Sequence, residues 1–310
     1  MEKMNATTFD LLRKISDLAN GIPGGIAYNV RQDSGCAGRM STENIKIESK
    51  TDKPGINIIV KPGTKGEKVY IPACITKSGV DDLVYNDFYI GEGADVTVVA
   101  GCGVHTDHEE ESQHNGIHRF FLEKGARVLY LEKHLGEGEG TGRRIINPVT
   151  EVHLGEGSYL EMDTSQIKGV DSTVRKTGGE VGPGARLIVR EKIMTHGVQY
   201  AETNFSVELS GEDSGCDLIS RSVARDESKQ LFRSRVIGSN RCTGHSACDA
   251  IIMDHGTVSA IPELTAKHVD ASLIHEAAIG KIAGEQLIKL MTLGLTAEEA
   301  EAKIIEGFLK

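Results

Sequence analysis

Tryptophan is absent from this 310-residue chain, and aromatic residues make up only 5% of it. A β-protein that holds sugar chains stacks rings along one face, so the scarcity argues against a polysaccharide-acting β-helix enzyme. No apolar run approaches the ~20 residues needed to span a bilayer. Met1–Asn20 sets Phe9, Leu11, Leu12, Ile15 and Leu18 among charges rather than in a continuous apolar stretch, so no export signal is legible. The expectation is a cytoplasmic protein whose six cysteines are thiols or metal ligands rather than disulfides. Basic excess is missing too: 35 Lys+Arg against 45 Asp+Glu leave a net charge of −10, which argues against binding nucleic acid or an anionic membrane. The phosphate loop G-x-x-x-x-G-K-S/T, the G-x-S-x-G elbow and H-E-x-x-H are all absent. The chain therefore reads as neither ATPase nor hydrolase, and we expect no enzyme and no nucleotide bound by this chain.

Glycine is plentiful, 36 residues against 7 prolines, and it punctuates short Val/Ile/Leu runs. One phrase recurs: GEGADVTVVA (from Gly91), EKGARVLYLE (from Glu123), GEGSYLEMDT (from Gly155) and GPGARLIVRE (from Gly182). Aligning Ala94, Ala126, Ser158 and Ala185 gives intervals of 32, 32 and 27, and a looser copy, EDSGCDLISR, starts at Glu212. Periods of this length mark stacked units, each too small to bury its own apolar face. Helical periodicity is lacking between copies, and glycine suits sharp corners with positive φ. The pattern predicts a mostly β chain coiled as a β-helix, with a β-sandwich as the alternative.

Helical spacing is confined to the ends. Phe9–Ala19 reads as a short amphipathic helix stopped by Asn20-Gly21, and Ile22–Met40 as irregular chain around Pro23-Gly24-Gly25. Near the C-terminus, Leu287, Leu290 and Met291 precede a capping Gly294. Thr296 and Glu299 then form a capping box for a helix with Ala300, Ile304, Ile305 and Phe308 on one side. The expected organisation is a helical and irregular segment over 1–44, a β-core over 45–276 and a helical segment over 277–310.

Several residues can carry chemistry. Cys242, His245 and Cys248 have C-x2-H-x2-C spacing, but on a strand the two cysteines share a face that His245 does not, which makes poor zinc geometry. A cysteine is also an ordinary small buried hydrophobe. His275-Glu276 follows a β-type run, and the two side chains converge only if the chain turns there. Cys102 lies between glycines, which reads as steric access, and His105, His108, His114 and His118 follow it; protonated, they would lower its pKa. His114 begins a β-run and is expected to face inward. Cys36, Cys74 and Cys216 have no partner at useful spacing and read as structural.

The segment from Gly244 to Lys310 resembles the C-terminal core of the SufB/SufD family of iron–sulfur cluster assembly proteins. The residues that carry the resemblance are Cys248-Asp249, Ile261-Pro262-Glu263, His275-Glu276-Ala277 and Gly307-Phe308. Upstream, Gly101-Cys102 and the His-containing run after it are similar to the sulfur-accepting region of SufB, so the likeness extends over roughly Ile71–Lys310. The resemblance implies a right-handed parallel β-helix. It implies Cys248 as a ligand of a transient iron–sulfur cluster at a homodimer interface, with His275 and Glu276 as the other metal-ligand candidates. It implies Cys102 as the sulfur acceptor or relay with His114 on the route, C-terminal helices that dock a SufC-type ABC ATPase, and apo iron–sulfur proteins as recipients. The alternative within the family is a SufD-like adaptor that holds no metal and only regulates or anchors the ATPase. Iron–sulfur chemistry suits the residues on its own account: one thiolate with imidazole or carboxylate per subunit makes a mixed site that can release its cluster.

Overall fold

The computed structural model describes residues 4–16, 18 and 24–310. Helix α1 (Ala6–Ser16) leads into β1 (Ala27–Gln32), β2 (Gly35–Met40), β3 (Ile45–Ser49), β4 (Gly55–Val60), β5 (Lys65–Ile75), β6 (Asp81–Ile90) and β7 (Asp95–His105). Then follow β8 (Ser112–Leu122), β9 (Arg127–Glu137), β10 (Arg144–Ile146), β11 (Val149–Leu154), β12 (Tyr159–Lys168), β13 (Ser172–Val181) and β14 (Arg186–Thr195). The last strands are β15 (Tyr200–Leu209), β16 (Ser214–Ala224), β17 (Lys229–Gly238), β18 (Cys242–Ile252), β19 (Thr257–Ala266) and β20 (Ala271–Gly280). Helices α2 (Gly284–Thr292) and α3 (Ala297–Phe308) end the chain.

From β4 onward the strands alternate between two ten-stranded sheets, which makes a β-solenoid of about eight turns. One sheet runs β2-β1-β5-β7-β9-β12-β14-β16-β18-β20, and the other runs from β3 to β19 with β10 and β11 both bridging β8 and β13. Apart from the hairpins β1–β2 and β3–β4, all pairing is parallel. The apolar core fills the space between the sheets. Phe88, Phe120, Tyr130, Leu160, Val189, Phe205 and Leu218 belong to one continuous cluster. Each such side chain contributes about 1.5–3 kcal/mol by leaving water. In-register stacking repeats the same contact turn after turn, as in Phe88 over Phe120, whose ring centroids are 4.3 Å apart.

The repeated glycine phrase is the corner of the solenoid. Gly93, Gly125, Gly157 and Gly184 all take φ of +62° to +64°, and in the looser fifth copy Asp213 takes +58°. Each donates its backbone N–H to the corresponding corner of the next turn: Gly93 to Lys124, Gly125 to Glu156, Gly157 to Pro183, Gly184 to Glu212 and Asp213 to Arg241. The aligned residues Ala94, Ala126, Ser158 and Ala185 are buried just inside, where only a small side chain fits.

The N-terminal segment departs from the expectation. Ala27–Met40 is not irregular but the β1–β2 hairpin, which extends the first sheet through β1–β5 pairing. Its turn is Asp33-Ser34, both residues at positive φ, a type I′ geometry reached without the usual glycine. The Asp33 carboxylate compensates by accepting the backbone N–H groups of Thr76 (2.6 Å) and Lys77 (3.0 Å). Helix α1 begins earlier than expected, at Ala6, and the expected Asn20-Gly21 stop lies outside the described residues. The C-terminal helices match the reading. Thr296 Oγ1 accepts from the Glu299 N–H while Glu299 Oε2 accepts from the Thr296 N–H, closing the capping box. Helix α3 rests on the solenoid through Ile305 against Val223 and Ile251, whereas α2 buries no residue. No helix among the described residues is long and apolar enough to cross a membrane.

Candidate functional site

Counting from each corner residue places the site. The sixth residue after it points into the solenoid, and parallel register stacks Ala100, Glu132, Thr164, Glu191, Ser220 and Cys248 in one column. The eighth residue gives a neighbouring column that starts Cys102, His134, Gln166. Cys102 and Cys248, far apart in sequence, therefore lie in two adjacent columns of inward positions.

Together these columns are polar along much of their length. Arg175, on β13, reaches between the columns: Nη1 donates to Glu132 Oε2 (2.7 Å), Nη2 to His134 Nδ1 (3.1 Å), and Nε lies 3.2 Å from Glu191 Oε1. Glu191 accepts from Thr203 Oγ1 (2.9 Å) and Ser220 Oγ (2.8 Å). On the other side Tyr130 donates to Glu132 Oε1 (2.7 Å), His118 Nδ1 donates to Tyr130 (2.8 Å), and Asn86 donates to His118 Nε2 (3.2 Å). Thr164, between Glu132 and Glu191, keeps its Oγ1 buried without a partner.

Electrostatics within these columns follow from burial and from Arg175. Burial works to raise Glu132, but His134 and Arg175 overcome it and hold the carboxylate well below its ordinary range. At Glu191 burial wins over Arg175, and its pKa rises. Burial lowers His118 to about 4, so it is neutral, as its hydrogen bonds require.

Cys102 is nearly inaccessible, at 6% exposure, and its flanking glycines do not open it to solvent. Gly101 and Gly103 face the opposite side of β7, where α1 lies. A Cβ at Gly101 would sit 2.7 Å from the Ile15 carbonyl oxygen, and one at Gly103 would sit 2.9 Å from Leu11. The glycines serve the helix, not the thiol. Nor do the histidines activate it: burial, and then the Glu132 charge, push the Cys102 thiol well above its usual value. His114 faces inward as expected. Its Nδ1 lies 2.9 Å from Asp82 Oδ2, which Arg31 also holds. Cys102, His114 and His118 line one small enclosed cavity with Asn29, Arg31 and Asn86.

At the other end, Cys248 is 1% exposed in the core, and burial with the Glu191 charge pushes its thiol up to about 12. Cys242 shares its face while His245 points outward, as the spacing predicted. His275 and Glu276 lie on extended β20, so they diverge. His275 stacks inward on Ser246, with Nδ1 buried and without a hydrogen-bond partner; burial lowers its pKa against a backbone contact with Ser246. Glu276 points out, 71% exposed, 3.5 Å from His245 Nε2, whose Nδ1 pairs with Asp217 at 2.7 Å. One chain thus does not gather Cys248, His275 and Glu276, and among the described residues no cluster of three or more such side chains could hold a metal ion. Of the cysteines read as structural, Cys74 and Cys216 are buried and Cys36 is exposed.

Residues 84–308 match the family described as SUF system FeS cluster assembly, SufBD core domain. The chain belongs to the SufBD family. Among its relatives, an iron–sulfur cluster assembly SufBD family protein of Methanothermobacter thermautotrophicus is 28% identical over 269 residues, 84% of this chain and 64% of that protein. One from Archaeoglobus fulgidus is 28% identical over 86% of this chain and 71% of its own length, and one from Methanocaldococcus jannaschii is 27% identical over 91% and 86%. The SufBD match spans the corner repeats from β6 onward, both candidate cysteines and most of α3. Reading residues one at a time missed Glu132, His134, Arg175 and Glu191. The signal was present: aligned on their corners, the repeats place the two glutamates in the same inward column as Cys248.

Proposed function

We propose that this SufBD chain is a non-enzymatic scaffold that accepts sulfur and iron and builds an iron–sulfur cluster, its cargo, between two copies of itself. The observation that carries the reading is that Cys102 and Cys248 lie in two adjacent inward columns, with Glu132, His134, Glu191 and Arg175 between them. Sulfur taken up at Cys102, with His114 beside it, reaches Cys248 through an interior where Arg175 supplies positive charge and Thr164 a free hydroxyl.

Cys248 lies one strand in from the uncovered edge formed by β19 and β20. Neither edge strand has a fully buried residue, and Ile261, Leu264, Ile274 and Ile279 are exposed there. An uncovered edge of this kind pairs readily with another chain. A two-fold axis at this edge doubles Cys248, His275 and Glu276 and supplies the donors that one chain lacks. A thiol held near 12 becomes a ligand only when iron displaces its proton, which suits a cluster meant for transfer to apo-proteins. The SufC-type ATPase docks on α2 and α3, where Ile288, Met291 and Leu293 are exposed beside a groove lined by Ile252, Met253, Ile282 and Leu287. No nucleotide site on this chain is needed.

Anaerobic reconstitution with ferrous iron and sulfide tests the reading. Wild-type protein should develop thiolate-to-iron absorption in the visible, and Cys248→Ala should abolish it. An unchanged spectrum would reject Cys248 and favour the metal-free adaptor.

A further inference from the structure

Cys102 and His114 wall the same enclosed cavity, which has about 10 Å³ of free space, room for one water-sized atom. Part of that space exists because position 116 has no side chain. A Cβ on Gly116 would stand 3.2 Å from His114 Nε2 and 3.4 Å from His118 Nε2. His114 is held from behind. Its Nδ1 lies 2.9 Å from Asp82 Oδ2, and Arg31 grips the same carboxylate with Nε on Oδ2 (2.8 Å) and Nη2 on Oδ1 (2.5 Å). Burial works to raise Asp82, but Arg31 and His114 overcome it and hold the carboxylate well below its ordinary range. An ionised carboxylate only accepts, so Nδ1 carries the imidazole proton and Nε2 keeps its lone pair. Among the described residues no hydrogen bond reaches that nitrogen. The neighbouring histidines are committed. His118 donates from Nδ1 to Tyr130 and accepts from Asn86 at Nε2. His134 spends its Nδ1 lone pair on Arg175, which leaves the proton on Nε2, 3.3 Å from Glu132 Oε1.

We propose that His114, positioned by Asp82 and Arg31, is the base that takes the proton of Cys102 as the thiol attacks sulfane sulfur. The inference rests on the reading of Cys102 as a sulfur acceptor. A base is needed because burial, and then the Glu132 charge, keep this thiol protonated near neutral pH. His114 does not lower that pKa. It acts in the transfer itself, as a histidine held by a carboxylate does beside a nucleophile. The donor is an inorganic polysulfide, a chain one atom wide. Arg31 is the one wall residue that is not fully buried, its side chain 15% exposed, so its guanidinium marks the side from which an anion arrives. The Cys102 sulfur attacks the terminal sulfur of the chain while its proton moves to His114 Nε2. An S–S bond forms on Cys102 and the terminal S–S bond of the donor breaks. The shortened polysulfide leaves with the electron pair and takes the proton from His114. One S–S bond forms for each that breaks, so no oxidant or reductant is consumed. The groups around the pair keep their charge near neutral pH: Asp82, Glu132 and Arg175 stay ionised, and burial keeps His118 and His134 neutral.

The test is the rate at which sodium tetrasulfide loads Cys102 of the full chain under anaerobic conditions. It is read by alkylation and peptide mass spectrometry from about pH 6 to about pH 9. His114→Asn keeps an N–H for Asp82 and removes the Nε2 lone pair. Loading should slow by about a hundredfold near neutral pH, and should then climb about tenfold per pH unit because only preformed thiolate reacts. The wild-type rate should depend far less on pH. Asp82→Asn, which disturbs the tautomer, should slow loading by about tenfold or more with the same steeper profile, and it carries the test if His114→Asn does not fold. A variant slowed equally at every pH would give His114 a structural role only, and wild-type loading in His114→Asn would give it none; either result overturns the proposal and leaves the acceptor reading standing. If wild-type Cys102 never carries persulfide, the acceptor reading is wrong and the base role with it.

Discussion

At the N-terminal end of the solenoid two antiparallel hairpins and helix α1 cover the outermost turns, and the cysteine there is sealed in a cavity among ion-paired side chains. At the C-terminal end β19 and β20 finish the two sheets with no cover of their own, and Ile261, Leu264, Ile274 and Ile279 are exposed there. The same repeat thus ends in two ways: one end is covered within the chain, and the strands of the other are left exposed. On the proposed reading the contrast would separate the tasks, with sulfur admitted at the closed end and the cluster assembled at the open one.

The comparison can be broken between the two ends, where the effect on stability is largest. Arg175→Ala removes the guanidinium that pairs with both Glu132 and Glu191 in a buried site. Chemical denaturation should show a loss of about 3–5 kcal/mol. A variant of wild-type stability would mean that the interior charges are hydrated and not held by Arg175.

The closed end is sharpened by Gly101→Val. Its branched side chain meets the Ile15 carbonyl, so α1 must shift, at a cost of about 1–3 kcal/mol. Hydrogen exchange should accelerate across Ala6–Ser16 while β16–β18 keep their protection; uniform loss of protection would show that α1 is not a separate cover.

The smallest change in fold stability is expected at the open end. Ile274→Asp alters a side chain that is 53% exposed, so the stability of a single chain should change by no more than about 0.5 kcal/mol. Sedimentation should nevertheless show loss of the dimer. An intact dimer would place the contact elsewhere.

Much of this was legible in the sequence. The glycine phrase marked the corners because positive φ leaves few alternatives, and the capping box marked α3 because its two hydrogen bonds are local. The interior columns were legible only in part. Glu132, Glu191 and Cys248 occupy equivalent positions, but Arg175 comes from the opposite sheet, and nothing local to it announces that meeting. The β1–β2 hairpin was hidden because Asp33-Ser34 turns with help from backbone groups at Thr76 and Lys77, more than 40 residues away. Gly101 and Gly103 misled for a related reason: a glycine beside a cysteine looks like access, and only packing shows that α1 fills the space.

The most direct test of a cluster shared by two copies is the mass of the species that carries it. After anaerobic reconstitution with ferrous iron and sulfide, light scattering should find the visible chromophore only on the dimer, in wild type and in Cys102→Ser, where sulfide is supplied directly. Ile274→Asp should yield colourless monomer. A coloured monomer, or a coloured Cys248→Ala dimer, would contradict the account.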